Sequence, residues 1–138
     1  MERKYVDVNV FVYWLSGTGE LLEKAKKWIK AIESGVRGEY ITSTLTIHEL
    51  MIIIAGLTGR SLRDRKFVTD IIEAISGLNK LEIKPFTSDI IEKALDAMKK
   101  FDLDLEDAIH YVTAIKYHAV KIISNDEDFE RTDIQRVF

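Results

Sequence analysis

The chain contains no cysteine and only one proline. The missing cysteine excludes disulfides and thiolate metal sites. Long apolar runs are also missing. The longest, Leu50 to Leu57, reaches eight residues counting Gly56, far short of the ~20 that a helix needs to span a bilayer, so no membrane span is expected. Positive charge is not in excess: Lys and Arg number 20 against 23 Asp and Glu, for a net charge of −3. Strong non-specific binding to duplex nucleic acid is therefore not expected, although a local patch can still bind a single strand. The first residues, Glu2, Arg3 and Lys4, are charged, and the sequence then turns apolar only briefly. That is not the pattern of a signal peptide, and a cytoplasmic protein is the expectation. Side-chain amides are scarce (Asn9, Asn79, Asn125 and Gln135). With abundant Lys, Glu and Ile, this resembles a thermophile composition.

What is present suits one domain over residues 1–138. The composition is 46% hydrophobic and 31% charged, enough for a core. No linker, repeat or low-complexity stretch interrupts it. Strand patterns alternate with helix patterns. Lys4–Val10 reads as a β-branched first strand, Glu39–Ser43 as a second, Leu81–Phe86 as a third, Val120–Ser124 as a fourth and Arg136–Phe138 as a fifth. Pro85 marks the third as an edge or a strand end. Apolar stripes at helical spacing cover Thr18–Glu33, Thr44–Leu57, Asp64–Leu78, Thr87–Phe101 and Leu105–Tyr117, the last with Asp104 as its N-cap. Strands separated by helices need crossovers. The expected fold is therefore α/β: a mostly parallel sheet with helices on both faces, whose ligands gather at the carboxyl ends of the strands.

Four acids stand in or beside apolar segments: Asp7, Glu49, Asp107 and Asp126. Asp7 interrupts Tyr5–Val12, Glu49 is the only acid between Glu39 and Asp64, Asp107 precedes Ala108-Ile109, and Asp126 follows Ile122-Ile123-Ser124-Asn125. Burying unpaired charge is costly, and crowded acids repel until one protonates. A divalent cation resolves the conflict, and an all-oxygen donor set points to Mg²⁺ or Mn²⁺. On a strand, Asp7 and Asn9 share a face. Each acid also has a plainer reading. Asp7 can cap a following helix, Glu49 can sit on a wet helix face, Asp107 can serve a helix start, and Asp126 can be turn chemistry. Their joint placement at one edge of the sheet is what favours a site.

The histidines carry less weight, and His110 reads as a helix-surface or packing residue. Arg60, Arg63, Arg65 and Lys66 read as a solvated helix start rather than a phosphate contact. Lys24, Lys26, Lys27 and Lys30 read as the wet face of their helix. Tyr13, Trp14 and Trp28 read as core or dimer residues rather than a base-stacking platform.

Taken in order, Asp7-x-Asn9, Thr44-Leu45-Thr46-Ile47-His48-Glu49-Leu50, Leu105-Glu106-Asp107-Ala108-Ile109-His110 with Ala114, and Ile123-Ser124-Asn125-Asp126-Glu127-Asp128-Phe129 resemble the PIN domain. The likeness is greatest to VapC-type toxin ribonucleases of toxin–antitoxin pairs, and it runs over nearly the whole chain. It implies a three-layer α/β/α sandwich and Mg²⁺- or Mn²⁺-dependent cleavage of RNA. It also implies a cognate antitoxin and a homodimer. Asp7, Glu49, Asp107 and Asp126 fall on the family's acidic, catalytic and metal-binding positions, with Asn9 and Ser124 on supporting polar ones. Two other functions compete. One is a phosphatase-type phosphoryl-transfer domain with Asp7 as nucleophile, which expects a second Asp where Asn9 stands. The other is a catalytically silent PIN-like interaction module.

Overall fold

In the computed structural model, which describes residues 1–138, strand β1 (Arg3–Val6) leads directly into helix α1 (Val8–Ser16) and then α2 (Gly19–Ser34). Strand β2 (Tyr40–Ser43), α3 (Thr44–Thr58), α4 (Arg65–Ser76) and β3 (Glu82–Lys84) follow. Helices α5 (Ser88–Phe101) and α6 (Leu105–Lys116) precede β4 (Ala119–Ile123). A short 3-10 turn at Glu127–Arg131 and β5 (Gln135–Val137) complete the chain.

All five strands are parallel, in the order β3-β2-β1-β4-β5. One cluster of 15 buried apolar residues, including Ile90, Ala94, Ile109 and Val112, packs α5 and α6 on one face. A second cluster of 15, including Phe11, Ile29, Leu50 and Ile71, packs α1–α4 on the other. Both faces are therefore covered, as a parallel sheet requires. The three-layer α/β/α architecture is the one expected. Pro85 directly follows the edge strand β3, where its missing N–H breaks no ladder.

The first strand is shorter than its sequence suggests. Val8, Val10 and Val12 favour a strand by propensity, yet they lie in α1. Tertiary burial overrides that preference: Val10, Phe11 and Val12 all enter the core, and Asp7 caps the helix by accepting from the Val8 N–H at 2.8 Å. At the other end the Gly17 N–H donates to the Tyr13 carbonyl, and a Cβ there would lie 2.5 Å from that oxygen. Only glycine fits this close a turn. Asp7 is consequently a strand-end cap rather than a mid-strand residue, and Asn9 does not share a strand face with it. The two still meet, because Asn9 sits in the first turn of α1.

Candidate active site

Strand order reverses between β1 and β4, the two central neighbours, whose last residues Val6 and Ile123 are in register. The segments that leave these strands diverge and open a crevice at their carboxyl ends. Asp7 and Ser124 are the first residues into it. The Asp7 N–H donates to the Ile123 carbonyl at 3.0 Å, which ties the two strand ends together. Ser124 Oγ donates to Asp7 Oδ2 at 2.6 Å, and Asn9 Nδ2 reaches the same oxygen at 3.3 Å. Ser124 Oγ in turn accepts from Asn9 Nδ2 and from the Asp126 N–H, while Asn9 Oδ1 accepts from the Asn125 N–H. Asp7 is 3% exposed. Burial raises its pKa above the usual carboxylate value, and nearby His110 and the Ser124 and Val8 hydrogen bonds oppose that rise.

Glu49 reaches the crevice from α3. Ser43 Oγ caps that helix through the Thr46 N–H, and Thr46, Glu49 and Leu50 form its inner face. Glu49 Oε1 lies 2.6 Å from His110 Nε2, and His110 Nδ1 lies 2.6 Å from Tyr5 Oη. Tyr5 Oη donates onward to Ser43 Oγ at 2.8 Å. An imidazolium satisfies every member of this chain: Nε2–H donates to Glu49, Nδ1–H to Tyr5, and Tyr5 to Ser43. Burial works against a charged His110. The Tyr5 oxygen and the carboxylates of Glu49 and Asp7 outweigh it, and its pKa lies well above the ordinary imidazole value. Burial likewise pushes Glu49 up, but its hydrogen bond and charge interaction with His110 hold it below the usual range. His110, 1% exposed, is thus no surface residue and no mere packing residue. It is a built-in counter-cation within 3.7 Å of Asp7 as well.

Helix α6 supplies the rest. Asp104 Oδ1 accepts from the Asp107 N–H at 2.9 Å, so Asp104 performs the capping and the Asp107 side chain is left free. Asp107 is brought against Asp126, the residue that caps the 3-10 turn by accepting from the Asp128 N–H. Burial first, then the charges of Asp126, Asp104 and Asp7, push the Asp107 carboxyl up to about 8. Carboxylate oxygens of Asp107, Asp126 and Asp128 lie within 4.8 Å of one another. Glu106, one position earlier, leans on Glu49, and that hydrogen bond, with partial burial, raises its pKa to about 7.

The fold therefore gathers all four acids singled out in the sequence, but in two groups. Asp107 and Asp126 cluster with Asp128. Glu49 pairs with His110 and Glu106. Asp7 lies between, held by Asn9 and Ser124. The donor set fits a hard divalent cation. It is all carboxylate oxygen, and burial and the neighbouring acids push Asp107 up to about 8, the crowding a cation would relieve. Three participants escaped the sequence reading. Asp107 and His110 are three apart and share a helix face, and Glu106 and His110 are four apart. Asp126-x-Asp128 in a tight turn was the corresponding signal for Asp128. The cluster Arg60–Lys66 is partly committed to local pairs, Arg60 to Asp64 at 2.8 Å and Lys66 to Asp70 at 3.1 Å.

The sequence profile described as the PIN domain matches residues 4–135. Ribonuclease VapC1 of Aquifex aeolicus is 41% identical over 97% of this chain and 88% of its own length. Ribonuclease VapC2 of Methanocaldococcus jannaschii is 26% identical over 96% and 91%. Among solved structures, the sarcin–ricin-loop-cleaving toxin VapC20 of Mycobacterium tuberculosis superposes with a TM-score of 0.73 at 15% identity, covering 95% of this chain and 98% of that one.

Proposed function

The chain belongs to the PIN domain family, and from that premise we propose that it is a divalent-metal-dependent endoribonuclease, the toxin of a toxin–antitoxin pair. The observation that carries the reading is the set of Asp107, Asp126 and Asp128 oxygens within 4.8 Å of each other beside the buried Asp7. Asp7, Asp107 and Asp126 would hold the ion, Mg²⁺ or Mn²⁺, with Asp128 at the rim. Bound there, a divalent ion supplies an activated water and neutralises charge on the phosphate.

The chain's own residues prepare that chemistry. Ser124 and Asn9 fix the Asp7 carboxylate through Oδ2, and the Val8 N–H fixes it through Oδ1. His110 holds Glu49 ionised and fixed, leaving it able to orient a water. Glu106, raised to about 7 by its hydrogen bond to Glu49, carries the proton of that pair. The whole of residues 1–138 acts as one PIN-like unit.

As for partners, a toxin of this kind is held silent by an antitoxin. A basic side chain placed among the carboxylates would substitute for metal charge, and Arg suits this through bidentate hydrogen bonds. A homodimer is the assembly we infer for this chain, and Ile52, Leu57, Ile91 and Leu95 are among its exposed apolar side chains. No helix is long and apolar enough to cross a membrane.

The test is a metal-titrated cleavage assay on unstructured RNA, with Asp7→Asn as control. Cleavage that requires Mg²⁺ or Mn²⁺ and vanishes in the folded variant supports the reading. Full activity of Asp7→Asn sinks the site, and no cleavage by wild type with either ion sinks the nuclease.

A further inference from the structure

A line of polar and aromatic contacts leaves the crevice on the side of α1. Asn9 holds Asp7, the Asn125 N–H donates to Asn9 Oδ1 at 3.2 Å, and Asn125 Nδ2 donates to Tyr13 Oη at 3.1 Å. The Tyr13 ring meets Phe138 edge-on, with centroids 5.9 Å apart. Phe138 forms one wall of an open hollow of about 350 Å³, whose other walls are Trp28 and Ala31 of α2. That volume falls in the range of small-ligand clefts, roughly 300–1,000 Å³. Lys24 and Lys27 rim the hollow, and no acidic side chain lines it.

Three features give the hollow a chemistry. Its floor is aromatic and fixed, because Trp28, Tyr13 and Phe138 each pack one side against the core cluster of α1–α4. Its rim is cationic: Lys24 already sits over the Phe138 ring at 5.5 Å, its pair with Glu20 is a loose 3.9 Å, and Lys27 forms no ion pair. Its position is continuous with the acid cluster through Asn9, Asn125 and Tyr13. An apolar ring face beside one free and one loosely paired ammonium group matches a nucleobase and its phosphate, and it does so without regard to sequence. A chain with net charge −3 has little other reason to hold a strand of RNA next to a nest of acids. The hollow between α5 and α6 is different. It includes Asp96, its Lys116 is committed to Asp89 at 2.7 Å, and no chain of contacts links it to the crevice.

We propose that Phe138 and Trp28, with Lys24 and Lys27, form a stacking platform for a nucleotide of the single-stranded RNA a few positions from the phosphate held at the acid cluster. The platform deepens the nuclease reading and rests on it for the direction of the strand. Its residues bind and position. They do not touch the reacting atoms.

The test measures binding of a labelled single strand of about 12 nucleotides, within the span of known single-strand sites, by anisotropy in EDTA, where no cleavage occurs. Lys24→Ala with Lys27→Ala should weaken binding about 10-fold and flatten the salt dependence by about 1.4, the loss of two phosphate contacts on a single strand. Phe138→Ala should weaken the intact strand, Phe138→Tyr should restore it, and an abasic strand of equal length should not distinguish the three. With Mn²⁺ present, the lysine variant should raise KM and leave kcat unchanged. Wild-type affinity and salt slope in the folded lysine variant would overturn the platform. So would a change only in self-association, which would assign the hollow to a protein contact, or equal sensitivity to Phe138→Ala on the abasic strand. Binding as expected without cleavage under any metal sinks the nuclease and leaves the platform standing. Cleavage with indifferent platform variants does the reverse.

Discussion

Glu49 and Asp107 are both acids drawn to the same edge of the sheet, yet one is held ionised and the other is pushed to keep its proton. The difference lies in what stands beside each. Glu49 has His110 at 2.6 Å, and the hydrogen bonds run on through Tyr5 to Ser43, so its charge is balanced and its partners are satisfied. Asp107 has Asp126, Asp104 and Asp7 for company and no cation. One half of the site has a cation of its own in His110, and the other has acids alone. Four acids close together do not therefore all ask for metal. On the proposed reading a divalent ion would sit where the protein has left charge uncompensated, and Glu49 would orient a water.

The largest effect should come from the uncompensated half. Asp107→Asn should lower RNA cleavage at saturating Mn²⁺ by more than about 100-fold, since even outer partners of metal ligands cost 10–100-fold, while circular dichroism stays that of wild type. Retained cleavage would mean that Asp107 is only a helix-start residue. The next effect belongs to the other half and concerns stability. His110→Ala leaves Glu49 and Asp7 buried without their counter-cation, a loss of about 3 kcal/mol. Urea denaturation should show it with or without metal. A variant as stable as wild type would refute the built-in cation.

A smaller effect sharpens the comparison, because its sign is opposite. Asp126→Asn removes one of the repelling charges, so the protein should melt a few degrees higher than wild type in EDTA, about what 1 kcal/mol gives a domain of this size. It should also gain less from millimolar Mn²⁺, which stabilises only the folded state. Calorimetry of both proteins in both conditions decides. A variant that melts lower in EDTA and gains equally from Mn²⁺ would make Asp126 a turn residue alone.

The smallest effect lies away from the site. Asp89 is half-buried, and its hydrogen bonds to Lys116 and Thr87 bring its carboxyl down to about 2. A depressed pKa contributes stability that is present above the unfolded value of 3.8 and lost as pH falls through about 2. Asp89→Asn should therefore be slightly less stable than wild type at neutral pH, and the difference should shrink between pH 4 and pH 2 as wild-type Asp89 protonates. Equal stability of variant and wild type from neutral pH down to pH 2 would show that the pair contributes nothing, as many surface pairs do.

Much of the fold was legible because it rests on period. The stripes of α2, α4, α5 and α6 run at 3.6-residue spacing, and their alternation with strands leaves few topologies besides a parallel sheet covered on both faces. The acids stood out because each interrupts apolar surroundings. Helix α1 was not legible: Val8, Val10 and Val12 carry a strand's propensity, and only packing against α2 and α3 makes them helical. Lys24 and Lys27 read as a wet helix face and Trp28 as a core or dimer residue, and nothing local shows that Phe138, 110 residues further on than Trp28, closes a hollow beside them.

By itself, then, the sequence determined the layers, the parallel sheet and the four acids, because periodicity and misplaced charge are local properties of the chain. Only the tertiary structure decided which acid is compensated. Tyr5, Glu49 and His110 come from β1, α3 and α6, separated by 61 and 105 residues, and meet within 2.6 Å. The energy of a buried charge depends on what lies within a few ångströms of it, and distance in space is not written in distance along the chain.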